Sequence, residues 1–100
     1  MVEAYFISWT LPVGRARPYA TASYKRTDGT WEKLYKEYGE NVPKAKLLKA
    51  IVEHYTGASV SDGVINALLK QPGTNYMRIE PDELRKRLSY ANIRVILSAR

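Results

Sequence analysis

Two stretches near the start of this chain repeat with a period of two, and that constrains its fold more than any other feature. Residues 4 to 11 read Ala-Tyr-Phe-Ile-Ser-Trp-Thr-Leu, with Tyr5, Ile7, Trp9 and Leu11 on one side and Ala4, Phe6, Ser8 and Thr10 on the other. Aromatic and β-branched residues in strict alternation suit the pleat of a strand. Pro12 and Gly14 interrupt the pattern, and it resumes over residues 15 to 26. Arg15, Arg17, Tyr19, Thr21, Ser23 and Lys25 then share one side, and Ala16, Pro18, Ala20, Ala22 and Tyr24 the other. The second run is expected to be a strand antiparallel to the first. Pro18 has no ladder donor, so it belongs at that strand's start or on a sheet edge. The alanines leave room for a helix to lie close.

Downstream the spacing changes. Thr27-Asp28-Gly29-Thr30 reads as a turn ending in an N-cap, after which Trp31, Leu34, Tyr35 and Tyr38 recur at i, i+3, i+4 and i+7 and predict a first helix ending at Gly39. A second helix starts near Pro43, carries Leu47, Leu48, Ile51, Val52 and Tyr55 and closes at Gly57. Ser59 or Ser61 caps a third, built on Val60, Val64, Ile65, Ala67, Leu68 and Leu69, which the Gln71-Pro72-Gly73 break ends. The remainder reads as strand 75 to 79, helix 81 to 91 and strand 93 to 97. Such tight joints favour a right-handed crossover and a parallel final pair. The expectation is a single α+β domain spanning residues 1 to 100, with a four-stranded mixed sheet in the order ββαααβαβ and its helices mainly on one face.

Composition narrows the function classes. The chain has 100 residues with no cysteine and one histidine, so thiol chemistry is absent and a zinc cluster would have to rest on carboxylates. No metal or other cofactor is expected. No run approaches the ~18 to 20 apolar residues of a membrane span, and residues 1 to 14 hold Glu3 and no basic start, so a cytoplasmic protein without a membrane partner is expected. Sixteen Lys and Arg against ten Asp and Glu leave a net charge of +6. Residues 1 to 30 carry +2, residues 31 to 56 carry +1 and residues 57 to 100 carry +3, so the charge is dispersed over folded surfaces. Polyanions are the partners such a balance attracts.

The candidate site follows from the second alternating run, where Arg15, Arg17, Tyr19 and Lys25 fall on one side with two hydroxyls and no acidic residue, and Arg26 follows. Guanidinium forks bind phosphate oxygens, hydroxyls add donors, and a tyrosine face stacks on an unpaired base. The competing reading is a strand whose charges guard a sheet edge. A second basic group, Arg85-Lys86-Arg87, is partly compensated by Asp82 and Glu83 at i, i+4, which leaves Arg85 with the flanking Arg78 and Arg94 as additional candidates. The second and third helices flanking Gly57 have helix-turn-helix spacing, but the third is too apolar around its circumference to read a major groove. His54, on the margin of an apolar stripe, reads as a boundary residue. No catalytic motif is present: no carboxylate pair at useful spacing, no phosphate-binding glycine loop, no serine elbow.

The resulting expectation is a small, non-enzymatic, basic protein that binds RNA or single-stranded nucleic acid through Arg15, Arg17, Tyr19, Lys25, Arg26, Arg78, Arg85 and Arg94. Two alternatives stand beside it. One is a protein-interaction or assembly module, such as a homodimer, built on the aromatic first strand or a sheet edge. The other is a small ribonuclease, using arginine, lysine and tyrosine on phosphate.

Overall fold

The structure is a computed structural model that describes residues 1–11, 13–73 and 76–90. Its strands are β1 (Val2–Thr10), β2 (Tyr19–Arg26), β3 (Trp31–Tyr38) and the short β4 (Arg78–Ile79); its helices are α1 (Lys44–Thr56), α2 (Asp62–Lys70) and α3 (Pro81–Tyr90). The strands form one sheet in the order β3-β2-β1-β4, and every described pairing is antiparallel. This is an α+β fold whose element order is βββααβα.

The largest departure from the sequence reading is Trp31–Tyr38, a strand where a helix was expected. Asp28-Gly29 makes the turn of a β2–β3 hairpin. Arg26 donates its backbone N–H to Thr30 at 2.8 Å, the Asp28 carboxylate accepts from the Thr30 N–H at 2.9 Å, and Gly29 takes φ 94°, a value that glycine adopts without a Cβ penalty. The helical spacing has a physical origin in a β-bulge. Ala22 faces Tyr35 whereas Ser23 faces Lys33, so Leu34 is an extra residue in β3. A bulge resets the alternation. Leu34 and Tyr35 therefore both pack toward the core, while Trp31 and Tyr38 stand in register with Lys25 and Tyr19 on the opposite side.

The second strand is also shorter than the alternation suggested. Gly14 adopts φ 60°, and the Ala16 N–H donates to the Val13 carbonyl at 3.0 Å, closing a turn that contains Arg15. Pairing begins at Tyr19, immediately after Pro18, which supplies no N–H. Strand 75 to 79 is reduced to Arg78–Ile79, antiparallel to β1. The fourth strand of the described sheet is thus β3, and all the pairings among the described residues are antiparallel. The expected strand 93 to 97 lies outside the described residues.

Helices α1 and α2 match their sequence signals. Gly57 ends α1 with φ 73° and donates to the Glu53 carbonyl at 2.9 Å. Ser61 caps α2 by accepting from the Val64 N–H. Leu47, Leu48, Ile51 and Val52 of α1, Val64, Ile65 and Leu68 of α2, and Leu84 and Leu88 of α3 share one core with Tyr5, Ile7, Ala20, Ala22 and Tyr24 of the sheet. Ala20 and Ala22 are fully buried. Their small side chains permit the close approach of α1. Among the described residues no helix is long and apolar enough to cross a membrane.

Candidate nucleic-acid interface

Strand alternation sends every second residue away from that core. On β1 these are Phe6, Ser8 and Thr10, and on β2 Tyr19, Thr21, Ser23 and Lys25. Their partners on β3 are Tyr38, Lys36, Lys33 and Trp31. None of these side chains belongs to the core cluster, and Trp31 and Tyr38 retain 55% and 50% of their accessible surface. Ala4, opposite Lys25, is fully buried without joining that cluster, so one end of the face is locally packed.

The face is organised as two aromatic stations. At one end the rings of Phe6 and Trp31 lie 4.9 Å apart, with the Arg78 guanidinium 5.7 Å from the Phe6 ring. At the other end Tyr19 and Tyr38 meet edge to face at 5.9 Å. Lys36 Nζ lies 4.3 Å from the Tyr19 ring and 4.8 Å from the Tyr38 ring, and Arg17 sits 4.9 Å from the Tyr38 ring. Between the stations the cross-strand hydroxyls of Ser8 and Thr21 are hydrogen-bonded at 2.9 Å. Along β2, Tyr19 is four residues from Ser23, the partner of Phe6. At a strand rise of ~3.4 Å per residue, the stations are separated by roughly 14 Å.

Charge on this face is predominantly positive. Arg17, Lys25, Lys33, Lys36 and Arg78 are set against Glu3, which reaches Lys25 at 3.7 Å, and Glu80, which holds Arg78 at 2.9 Å. Among the described residues no ion pair engages Arg17, Lys33 or Lys36. The Lys36 ammonium, first by a hydrogen bond and then by its charge, holds the Tyr38 hydroxyl below its ordinary titration range, and Arg17 and Lys33 act in the same direction. The tyrosine end therefore sits in a positive field.

The residues singled out from sequence are distributed unevenly over this surface. Tyr19, Lys25 and Arg78 are part of it, and Arg17 joins it from the segment before β2. Arg15 is exposed in the preceding turn. Arg26 points to the core side, where Glu32 accepts its hydrogen bond at 2.8 Å and its guanidinium donates to the Tyr24 hydroxyl at 3.2 Å. Arg85 is exposed on α3. Arg94 lies outside the described residues. On the same helix Glu83 and Arg87 form the anticipated i, i+4 pair at 2.9 Å, whereas Lys86 makes no ion pair among the described residues.

Phe6, Trp31, Lys33, Lys36 and Tyr38 were missed from sequence. Phe6 carried a signal, since with aromatics on both sides of a strand one side either meets a further layer of helices or is exposed. The other four were concealed by the helical reading of β3, although Asp28-Gly29 between two strand-like runs is itself a hairpin signal.

Two other clusters are accounted for structurally. His54 is exposed at the end of α1, its Nδ1 hydrogen-bonded at 3.0 Å to the Tyr5 hydroxyl and its ring stacked 4.6 Å from Tyr24. It lies on the helix side of the sheet. A groove between α1 and α2 contains Lys46 and Lys49, but Glu37 and Asp62 hold them at 3.1 Å each. Among the described residues no three potential metal ligands converge.

Comparisons of this chain with protein-family models, with curated proteins and with solved structures return no match.

Proposed function

We propose that this protein binds single-stranded nucleic acid on the face of its sheet opposite the helices. The observation that carries the reading is the contact of the half-buried Tyr19 and exposed Tyr38 rings with cations that make no ion pair among the described residues, Lys36 against both rings and Arg17 against Tyr38. Stacking of unpaired bases on aromatic rings, with nearby cations on the phosphates, is the chemistry by which sheet platforms hold single strands. A duplex hides its base faces and offers such a platform nothing to stack on. Phe6 and Trp31 supply a second station, and the hydroxyls of Ser8 and Thr21 lie beneath the path between the two.

The alternatives gain less from the geometry. Assembly by strand addition gains little, since β1 lies between β2 and the short β4 and the edge strand β3 carries Glu32, Lys33, Lys36 and Glu37, charges that discourage such addition. A ribonuclease needs proton-transfer groups beside the bound phosphate; the single histidine is across the sheet, so that role would fall to Tyr38 and Lys36.

Binding should be measured by salt titration against single-stranded RNA, single-stranded DNA and duplex DNA. The expected result is tighter binding of single strands. Tyr19→Ala and Tyr38→Ala should each weaken binding by about 1 to 3 kcal/mol. Arg17→Ala and Lys36→Ala should each lower the salt slope by about 0.7, the value for one lost phosphate contact on a single strand. Equal affinity for duplex, or tyrosine variants that bind like the parent, contradicts the proposal.

A further inference from the structure

Next to the tyrosine station, at the end of the sheet, lies a hollow of about 190 Å³ that takes Trp9 from the helix side and Tyr19 from the open face. It forms where β1 runs out, β2 begins and β3 ends, and it is lined by residues 9–11, Pro18, Tyr19, Gly39 and Glu40. Gly39 contributes only backbone: its N–H donates to the Pro18 carbonyl at 2.9 Å, and its φ of 147° suits a residue without a side chain. The Trp9 indole N–H is already committed to the Val42 carbonyl at 3.0 Å. Trp9 therefore offers apolar ring surface and no free donor. Among the described residues no hydrogen bond or ion pair engages the Glu40 carboxylate. Tyr19 both lines the hollow and forms half of the stacking station, so the two sites adjoin.

A flat occupant with apolar faces suits these walls, and the acceptor beside them requires N–H groups on its edge. Among the common bases only guanine presents two adjacent donors, N1–H and the N2 amino group, which match the two oxygens of one carboxylate. Adenine and cytosine each offer one exocyclic amino group, and uracil one ring N–H. A carboxylate also repels phosphate, which favours a base over backbone in this position. Resting on the single-strand reading above, we propose that the hollow receives an unpaired guanine at the end of the bound segment, with Glu40 accepting from its N1–H and N2 amino groups.

Fluorescence anisotropy with oligonucleotides of about five residues, within the usual size of a single-strand site, tests this. The probes are oligouridine, the same oligomer with one terminal guanosine in separate 5′ and 3′ arms, and the corresponding inosine oligomers, which lack the N2 amino group. One guanosine arm should bind about tenfold more tightly than oligouridine, the scale of one good bidentate base contact, and inosine should recover only a small part of the gain. Glu40→Gln should abolish the guanosine preference while binding oligouridine at least as well as the parent. Equal affinity for oligouridine and both guanosine arms overturns the guanine assignment and leaves the platform standing. A guanosine preference that survives Glu40→Gln removes Glu40 from the contact. Failure to bind any oligomer sinks the platform and this inference together.

Discussion

The two faces of this sheet are made from alternate residues of the same strands, yet they obey different rules. On the helix side Tyr5, Ile7, Ala20 and Ala22 are buried in one cluster with Leu48, Ile51 and Leu68. On the other side Tyr19, Trp31, Lys36 and Tyr38 hold ring-to-cation and ring-to-ring contacts while remaining accessible. The first face contributes by removing apolar area from water, the second by geometry that a ligand can join. Their mutational costs should therefore diverge. Ile51→Ala, at a fully buried position, should cost about 2 to 5 kcal/mol in a denaturant titration. Tyr38→Ala should cost about 1 kcal/mol or less, the scale of one exposed aromatic contact. Comparable losses at both positions break the distinction, because they mean that the second face is packed too.

How much of this was visible in the sequence depended on whether local pattern and tertiary structure agreed. The alternation from Tyr5 to Trp9, the Gly57 terminus and the Ser61 cap each arise from interactions within a few residues, and each was legible. The β3 strand was not, because its bulge at Leu34 depends on cross-strand pairing with Ala22 and Ser23 of β2. The bulge places two successive apolar residues on one side, which a strand otherwise never does, and so imitates a helical face. The candidate site suffered the same way. Tyr19 and Arg17 could be found from one strand's alternation, but Lys36 and Tyr38 join them only through the hairpin. Arg26 shows the reverse error: next to Lys25 it looked like part of the cationic row, but one step along a strand turns it to the opposite face and to Glu32.

Titration separates the faces as well. Burial pushes the Tyr5 hydroxyl up to about 12, with the neighbouring phenols of Tyr24 and Tyr55 adding to the effect. A folded state that keeps this proton longer than the unfolded chain binds more protons between about pH 10 and 12, so stability falls as pH rises through that window. Below the ordinary tyrosine range the contribution is fully present. A tenfold difference in proton affinity between the folded and unfolded chain is worth ~1.4 kcal/mol, so this one group should account for at most about 2 to 3 kcal/mol of alkaline destabilisation. The comparison variant Tyr5→Phe should show a shallower decline over the same window. In an ultraviolet titration of the folded protein Tyr38 should ionise well before Tyr5, since Lys36 favours its phenolate. Should Tyr5 ionise first, the helix side at that ring is wet and the contrast between the faces fails there.

The smallest effect concerns the cation at the Phe6 station. Arg78 lies against the Phe6 ring but is held by Glu80 at 2.9 Å, with both side chains more than half exposed. Exposed pairs of this kind contribute little to folding, so Glu80→Gln should leave stability within about 0.5 kcal/mol of the parent. Its consequence should instead appear in binding, because a guanidinium released from a carboxylate is available to a phosphate. Single-strand affinity should rise modestly in Glu80→Gln, and the salt slope should steepen by about 0.7. Arg78→Ala should reverse both changes. An affinity that ignores both substitutions restricts the ligand to the tyrosine end, where Arg17 and Lys36 make no ion pair among the described residues, and makes Phe6 and Trp31 a packing pair that the ligand does not reach.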